Sequence, residues 1–536
     1  MRRCSEAVAW AARGGLHRDL PTARLSHGAG EPAPLGASRA KTYDGRNACA
    51  RRAPPDTTRC AAGACAPAAS GRAGPEERKS LDQVDAAIIG FGAASKPLAL
   101  DLADAGLTVA VIERSTRMYG GACVNTACLP SKMLVHAAAV SAFEGGEFPA
   151  RAERYEAVID EKNEATARLR ERSYRVLADN PRIEVIDGEA SFVDATHLSV
   201  RTTDGERQLE AARTFIDTGS VPALPDIPGA DGKRVYTSES LLDVKILPER
   251  TVIVGAGYVG LEFASLFADF GVDVTVLQGG EEFLPREDAD VARAVREDFE
   301  QRGIKLMLGA QVKSLEDDVA QVLVIADVDG KEMRLPGDFA LVATGRRPAT
   351  DGLNLEAAGV QVDGRGAIVT DKHLRTTAPN IWAMGDVTEL QQFTYVSYDD
   401  YRIVVSDVLG DGTKTKGTRG AVPSCIFADP PLAHVGLTEQ EARDQGFDVA
   451  CAVMTADDMP KVPLLGKEAR LMKGVVDNAT GRVLGIHLYC TGAPEIVNLA
   501  KRFLDDGCTA ADIRDAVFTH PTVTEELNNL FAKVAG

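Results

Sequence analysis

The chain has 536 residues, 45% of them hydrophobic and 26% charged, with a formal net charge of −18. That length accommodates three or four folding units, and no apolar run approaches the roughly 18 residues of a membrane span. The acidic balance is a poor match for nucleic acid phosphates. Ten cysteines are too sparse for a disulfide-stapled secreted scaffold and point to a reducing compartment, the cytoplasm.

Residues 1–80 carry 14 Lys+Arg against 7 Asp+Glu and are rich in Ala, Arg, Gly and Pro. Without hydrophobic periodicity such a segment cannot offset the entropy of ordering, and it reads as a disordered extension. Two origins stand side by side: a transit peptide for organellar import, against which Glu6, Asp19 and Glu31 speak, and a spurious upstream start. Cys60 and Cys65 lie in this Ala/Gly-rich stretch with no flanking strand or helix pattern, so they read as bystanders.

The first ordered pattern begins at Val84, where VDAAIIG predicts a buried parallel strand entering a turn with Gly90, Gly92 and Ser95. An apolar-periodic helix to Ala105 follows, then a strand over 108–112 ending at Glu113 and Arg114. This is the order a dinucleotide site needs. A tight turn admits a pyrophosphate, helix N–H groups face it, and an acid about 20 residues on takes a ribose hydroxyl. Ser95 replaces the third glycine of the motif, so helix and strand should sit slightly further apart.

Next comes GGACVNTACLPSKMLVHAA, with Cys123 and Cys128 five positions apart. Five steps of a regular helix rise about 7.5 Å, beyond the disulfide window of up to roughly 6.8 Å between Cα atoms. The helix start must therefore be distorted. Pro130 supplies no N–H there, and Gly120 and Gly121 would let the backbone press against a planar ring. The cysteines read as a redox pair rather than buried hydrophobes, because they lie one element beyond a nucleotide fingerprint. His136, two turns on, reads as an ordinary helix histidine.

A second fingerprint, TVIVGAGYVGLEFASLFADFGVDVTVLQ, sets Gly255, Gly257 and Gly260 between a strand and a helix and ends at Gln278. Two such units imply two nucleotide ligands and hydride passing between them. Gln278 is followed by Glu281 and Glu282 with no adjacent arginine, which favours NADH over NADPH. Near the C-terminus, FTHPTVTEEL offers His520, a base suited to moving a thiol proton, and Glu525 to orient it. Cys425, Cys451, Cys490 and Cys508 show no ligand spacing and read as packing residues, so no metal site is expected.

Together these motifs resemble the class I pyridine nucleotide–disulfide oxidoreductases, from Val84 to about Phe531. The likeness extends to IWAMGDVT, with Gly385 and Asp386 at a second FAD segment, and to turns at Thr218-Gly219-Ser220 and Thr344-Gly345-Arg346. It implies an α/β fold with two Rossmann-like dinucleotide-binding domains, for FAD and NAD, plus a C-terminal α+β dimerisation domain. The implied divisions are 81–225 and 336–415 for FAD, 226–335 for NAD and 416–536 for the homodimer interface.

By the same resemblance, Cys128 faces the flavin and Cys123 is the interchange thiol. Lys132 lies near the flavin and pairs with Glu262, Tyr258 gates the nicotinamide pocket, and His520 with Glu525 serves the other subunit. MYGGACVN, FLPREDADV and FTYVSYDDYRIV look most like a bacterial subgroup typified by a copper(II) reductase of reactive-chlorine resistance. A metal ion or small oxidant is then the acceptor. Dihydrolipoamide oxidation and a low-turnover flavin sensor are the alternatives, while LNNLFAKVAG lacks the terminal vicinal cysteines of a mercuric reductase. Ala122 and Ala127 depart from the subgroup's usual Thr and Gly.

Overall fold

The computed structural model describes residues 82–318, 320–388 and 391–534. The expectations for residues 1–80 lie outside them. No helix among the described residues is long and apolar enough to cross a membrane.

The first parallel sheet runs, edge to edge, Ile381–Ala383, Thr214–Ile216, Ala86–Ile89, Val109–Glu113 and Ile183–Asp187. Every residue of its two central strands is buried, as expected where helices cover both faces of a parallel sheet. The predicted run from Val84 divides in the structure. Val84 pairs with Ala211 in a separate four-stranded sheet, and only Ala86–Ile89 enters the parallel one. Helix Ser95–Asp104 packs Leu98, Ala99, Leu102 and Ala103 inward, a stripe at helical spacing.

The second parallel sheet is ordered Val235–Thr237, Phe339–Val342, Arg250–Val254, Asp273–Leu277 and Lys305–Met307. Phe339–Val342 pairs with Arg250–Val254, so the expected break after residue 335 falls inside this unit, and the chain leaves it only past Val342. A three-stranded antiparallel meander over residues 311–337 adjoins the sheet. C-terminally, an antiparallel sheet runs Ser424–Ile426, Leu432–Gly436, Val483–Cys490, Ala469–Asp477, Val449–Thr455. Helices Ala493–Asp505, Ala510–Arg514 and Glu526–Ala532 complete this α+β unit.

One core joins these units and fixes the cysteine helix. Leu134 and Ala138 of that helix cluster with Tyr155 and Ile159 of the 31-residue helix Phe148–Ala178. The same cluster takes in Phe263, Phe267 and Phe270 of the second fingerprint, and Ile426, Leu432 and Tyr489 of the C-terminal sheet. Tyr155 meets Phe270 edge to face at 5.3 Å between centroids, a geometry that adds about 0.5–1.5 kcal/mol beyond burial. The cysteine helix is thereby held against the helix that follows the second glycine turn.

Candidate functional site

Both glycine turns open into one cleft of ≈ 2670 Å³. Gly90, Gly92, Glu113, Arg114, Thr218, Gly219 and Asp386 line one part; Gly255, Gly257, Gln278 and Gly345 line another. Between them stand Cys123, Cys128, Lys132, Tyr258 and Glu262.

The predicted distortion lies at Thr126 and Ala127. Cys123 sits in the short helix Gly121–Asn125, and Cys128 is the first residue of the next, Cys128–Glu144. Ala127 adopts φ −139°, ψ −100° between them. Pro130 therefore falls in the first helical turn, where its missing N–H has no intrahelical partner to lose. The hydrogen bond from Cys123 holds the Cys128 thiol below its ordinary range; the Thr394 hydroxyl and the Lys132 ammonium add to the effect against the opposing cost of burial. The Cys128 sulfur is 3.2 Å from Thr394 Oγ1. The hydrogen bond with Cys128, together with burial, pushes Cys123 up. In the reduced pair the thiolate is thereby favoured at Cys128 over Cys123.

Lys132 Nζ donates to Glu262 Oε2 at 2.7 Å and lies 4.5 Å from the centroid of Phe427. Glu262 Oε1 accepts from the Phe427 N–H at 2.9 Å. The pair is a strut from the cysteine helix to the second fingerprint helix. Tyr258 donates to Glu287 Oε1 at 2.8 Å and is 3.3 Å from Ser424 Oγ.

Glu113 is tied to the first turn itself. Its carboxylate accepts from Phe91 N and Ser115 N, each at 3.0 Å, and burial raises its pKa. Gln278 does the equivalent with less charge, accepting from Ala256 N at 3.1 Å. Asp386 accepts from Ser220 Oγ at 2.8 Å, and burial raises it too.

Several expected contacts take a different form. Ser95 is fully buried and does not line the cleft. Its hydroxyl donates within hydrogen-bond reach of Gly90 O at 2.9 Å and of Asp217 Oδ2 at 2.7 Å, so the serine is spent on fastening the turn. Gly120 and Gly121 have positive φ, but protein fills the space a Cβ would need. At Gly121 the neighbour is Gly92 Cα at 2.9 Å, and at Gly120 it is Ser173 Oγ at 2.9 Å. Gly121 lines the cleft with its backbone packed on Gly92, and Gly120, outside the lining, makes room for the Ser173 side chain. Gly260 and Gly385 likewise lie behind the cleft wall: a side chain at Gly260 would strike Gly255 O, and one at Gly385 would meet Ser397 Oγ. Cys425 lines the cleft although it reads as packing, with burial pushing its thiol up. His136 is exposed.

His520 and Glu525 are hydrogen bonded, Nδ1 to Oε2, at 2.8 Å, but His520 is 68% exposed and neither residue lines this chain's cleft. The bond from His520 holds Glu525 below the usual carboxylate range. Thr394, Phe427 and Thr126 escaped the sequence reading. The available signals are that Thr126 lies between the cysteines in GGACVNTACLPSKMLVHAA and Thr394 in FTYVSYDDYRIV. The Thr126 and Thr218 hydroxyls are buried in the cleft with no hydrogen-bond partner among the described residues. Such orphans, beside a glycine turn that opens a helix, fit the polar atoms of a dinucleotide.

Comparison with known proteins agrees. Residues 84–401 match the pyridine nucleotide-disulphide oxidoreductase family and residues 422–531 its dimerisation domain. The chain is 42% identical over 455 residues to the probable pyridine nucleotide-disulfide oxidoreductase RclA of Escherichia coli, covering 85% of this chain and 100% of that protein. It is 34% identical to a mercuric reductase of Bacillus cereus, covering 83% and 70%. A solved structure described as the Cu(II) complex of the HOCl-induced flavoprotein disulfide reductase RclA from Escherichia coli superposes with TM-score 0.79 at 41% identity, covering 85% and 100%. A dihydrolipoyl dehydrogenase of Bacillus subtilis is more distant at 29% identity, covering 83% of this chain and 94% of that enzyme. The chain belongs to the pyridine nucleotide-disulphide oxidoreductase family, flavoenzymes that use FAD and a pyridine nucleotide.

Proposed function

We propose that this chain is an NADH-dependent reductase whose Cys123–Cys128 pair hands electrons to a metal ion of the copper or mercury class or to a small oxidant. The observation that carries the reading is the cysteine pair flanking a broken helix start, with Cys128 Sγ 3.2 Å from Thr394 Oγ1, inside a cleft that both glycine turns enter. Bound FAD supplies the two-electron relay between nicotinamide and dithiol. Gly90, Gly92, Glu113, Arg114, Thr218, Gly219 and Asp386 would hold it; Gly255, Gly257, Gln278 and Gly345 would hold the nicotinamide cofactor.

The protein's own residues manage protons and charge. Lys132 and Thr394 stabilise the Cys128 thiolate, and Tyr258 closes over the nicotinamide face. Cys123, which keeps its proton, needs a base before it can bond to an acceptor. His520, oriented by Glu525, is exposed and does not line this chain's cleft, so it does not serve its own thiols as that base. The dimerisation domain supports a homodimer in which His520 of the partner subunit takes the role. Exposed Val517 and Leu464 in that domain fit burial between subunits.

Gln278 beside Glu281 and Glu282 favours NADH. The metal acceptor is supported by the relatives, one described as a Cu(II) complex and others named mercuric reductases. A reducing compartment, the cytoplasm, suits free thiols. One equivalent of dithionite should raise a long-wavelength thiolate–flavin absorbance, and Cys128→Ser should abolish it; a band that survives the substitution refutes the role of Cys128. An anaerobic screen with NADH against copper(II), mercury(II), lipoamide, oxidised glutathione and quinones identifies the acceptor. Fast lipoamide turnover would displace metal reduction, and negligible oxidation of NADH with all of them would mark a sensor.

A further inference from the structure

A second cluster of ligand-type side chains lies beyond Tyr258. His434 on strand Leu432–Gly436 and His487 on strand Val483–Cys490 are direct cross-strand partners, with ring centroids 5.5 Å apart. Glu287, in the connection after the second sheet's strand Asp273–Leu277, brings its carboxylate to 2.7 Å from His434 Nδ1. One ligand atom from each of Glu287, His434 and His487 lies within 4.8 Å of the others. The three residues come from widely separated segments, which is why spacing along the sequence gave no sign of a metal site.

The tautomer of His487 makes the cluster more than a packed trio. Its Nε2 lies 3.2 Å from Leu437 O, and a carbonyl can only accept, so Nε2 carries the hydrogen. Nδ1 is then a bare lone pair, in a fully buried ring, with no partner among the described residues. An acceptor left so costs about 1–3 kcal/mol. A ring fixed by a backbone carbonyl at one nitrogen and open at the other is also how proteins orient a metal-ligating histidine.

Charge nearby favours a cation. Lys473, the cross-strand neighbour of His487 on its other side, is buried, and its ammonium is met by Asp288, Asp290 and Glu439, each at 2.8 Å. Three carboxylates thus meet one ammonium, and Glu287 adds a fourth carboxylate beside His434. His434 and Glu287 line the large cleft, which gives an ion a route in and leaves space for a water ligand.

We propose that Glu287, His434 and His487 form a binding site for one late first-row divalent cation, of the zinc or copper(II) class, separate from the redox cysteines. Two imidazoles and one carboxylate suit such ions, whereas magnesium and calcium take oxygen ligands. The ion inserts between His434 Nδ1 and Glu287 Oε2 in place of their hydrogen bond. Because the other oxygen of Glu287 accepts from Tyr258, occupancy resets how Tyr258 is held, and ion and nicotinamide binding affect one another reciprocally. The site stands on its own geometry and survives if the cysteines prove redox-inert.

Zinc, which is redox-silent, is the probe. Oxidised holoenzyme carrying Cys123→Ser and Cys128→Ser is titrated with zinc against a chelating dye, before and after adding His434→Asn or Glu287→Gln. One site per chain should remain without the thiols, and either added substitution should weaken it by at least about tenfold, the lower end of what even a lost outer-shell partner costs. Copper(II) in the same thiol-free protein should show electron paramagnetic resonance coupling to two imidazole nitrogens, reduced to one by His434→Asn. Flavin content and circular dichroism verify folding. Zinc binding that disappears with the thiols, or that is unchanged in both His434→Asn and Glu287→Gln, overturns the proposal.

Discussion

The two glycine turns share a motif but are built to different tolerances. In the first, Gly90 and Gly92, which line the cleft, are backed by the buried Asp217. Asp217 receives Ser95 N and Oγ, Glu113 receives Phe91 N, and a side chain at Gly92 would collide with the Asp217 carboxylate. In the second, Gly255 and Gly260 are packed as closely, against Ala343 O and Gly255 O, but a side chain at Gly257 would meet nothing within 4 Å, and the acid is replaced by Gln278. A turn clamped by buried carboxylates suits a group that never leaves. An open turn with a neutral reader suits one that must exchange on every cycle.

That contrast can be broken by the same change made in both places. Gly92→Ala should yield protein largely without flavin and destabilised by about 1–3 kcal/mol, the usual penalty for overpacking. Flavin absorbance per chain and thermal melts measure it. Gly257→Ala should keep full flavin content and raise KM for the nicotinamide cofactor by about tenfold, one hydrogen bond's worth of close approach. Equal flavin loss in both variants would show that the turns do not differ in kind.

A smaller effect tests the strut between them. Lys132→Met leaves Glu262 without its ammonium at the junction of the cysteine helix and the second fingerprint. Loss of a positioned charge beside the Cys128 thiolate should lower kcat by about tenfold with flavin retained. The pH at which the thiolate–flavin band is half-developed should rise, because the Lys132 charge favours the thiolate. An unchanged pH profile would leave Lys132 only a structural role.

The subtlest probe is Asp217. Burial raises its pKa to about 7, with Asp386 and Asp400 adding to the rise against the hydrogen bonds from Ser95. A carboxyl raised in the folded state contributes stability that is fully present below its unfolded value near 3.8 and is lost as pH climbs through about 7. At 1.36 kcal/mol per unit the range is on the order of 4 kcal/mol. Asp217→Asn keeps an acceptor for Ser95 and should flatten the stability profile over that window, read from denaturant midpoints at several pH values.

The sequence exposed what is local and hid what is assembled. Both fingerprints, the broken helix at Cys123–Cys128 and the Lys132–Glu262 pair could be located beforehand, because period, turn chemistry and family resemblance all act along the chain. Ser95 was placed but its task was not, since Asp217, its partner, is 122 positions away. The sequence shows Gly120 and Gly121 as turn glycines but not the neighbours they make room for, Ser173 and Gly92, which come from distant segments. Thr394 and Phe427 were missed for the same reason: each acquires its role only when a distant segment folds onto the cysteine helix. The break expected after residue 335 failed because Phe339–Val342 pairs with a strand nearly ninety residues earlier.

If two electron-accepting groups share one cleft, an anaerobic reductive titration of the purified holoenzyme counts them. The account predicts uptake of about four electrons per subunit, two in the dithiol and two in the flavin, falling to about two in Cys128→Ser. Uptake of about two electrons by the unaltered protein would mean that Cys123 and Cys128 do not cycle, and would contradict the account.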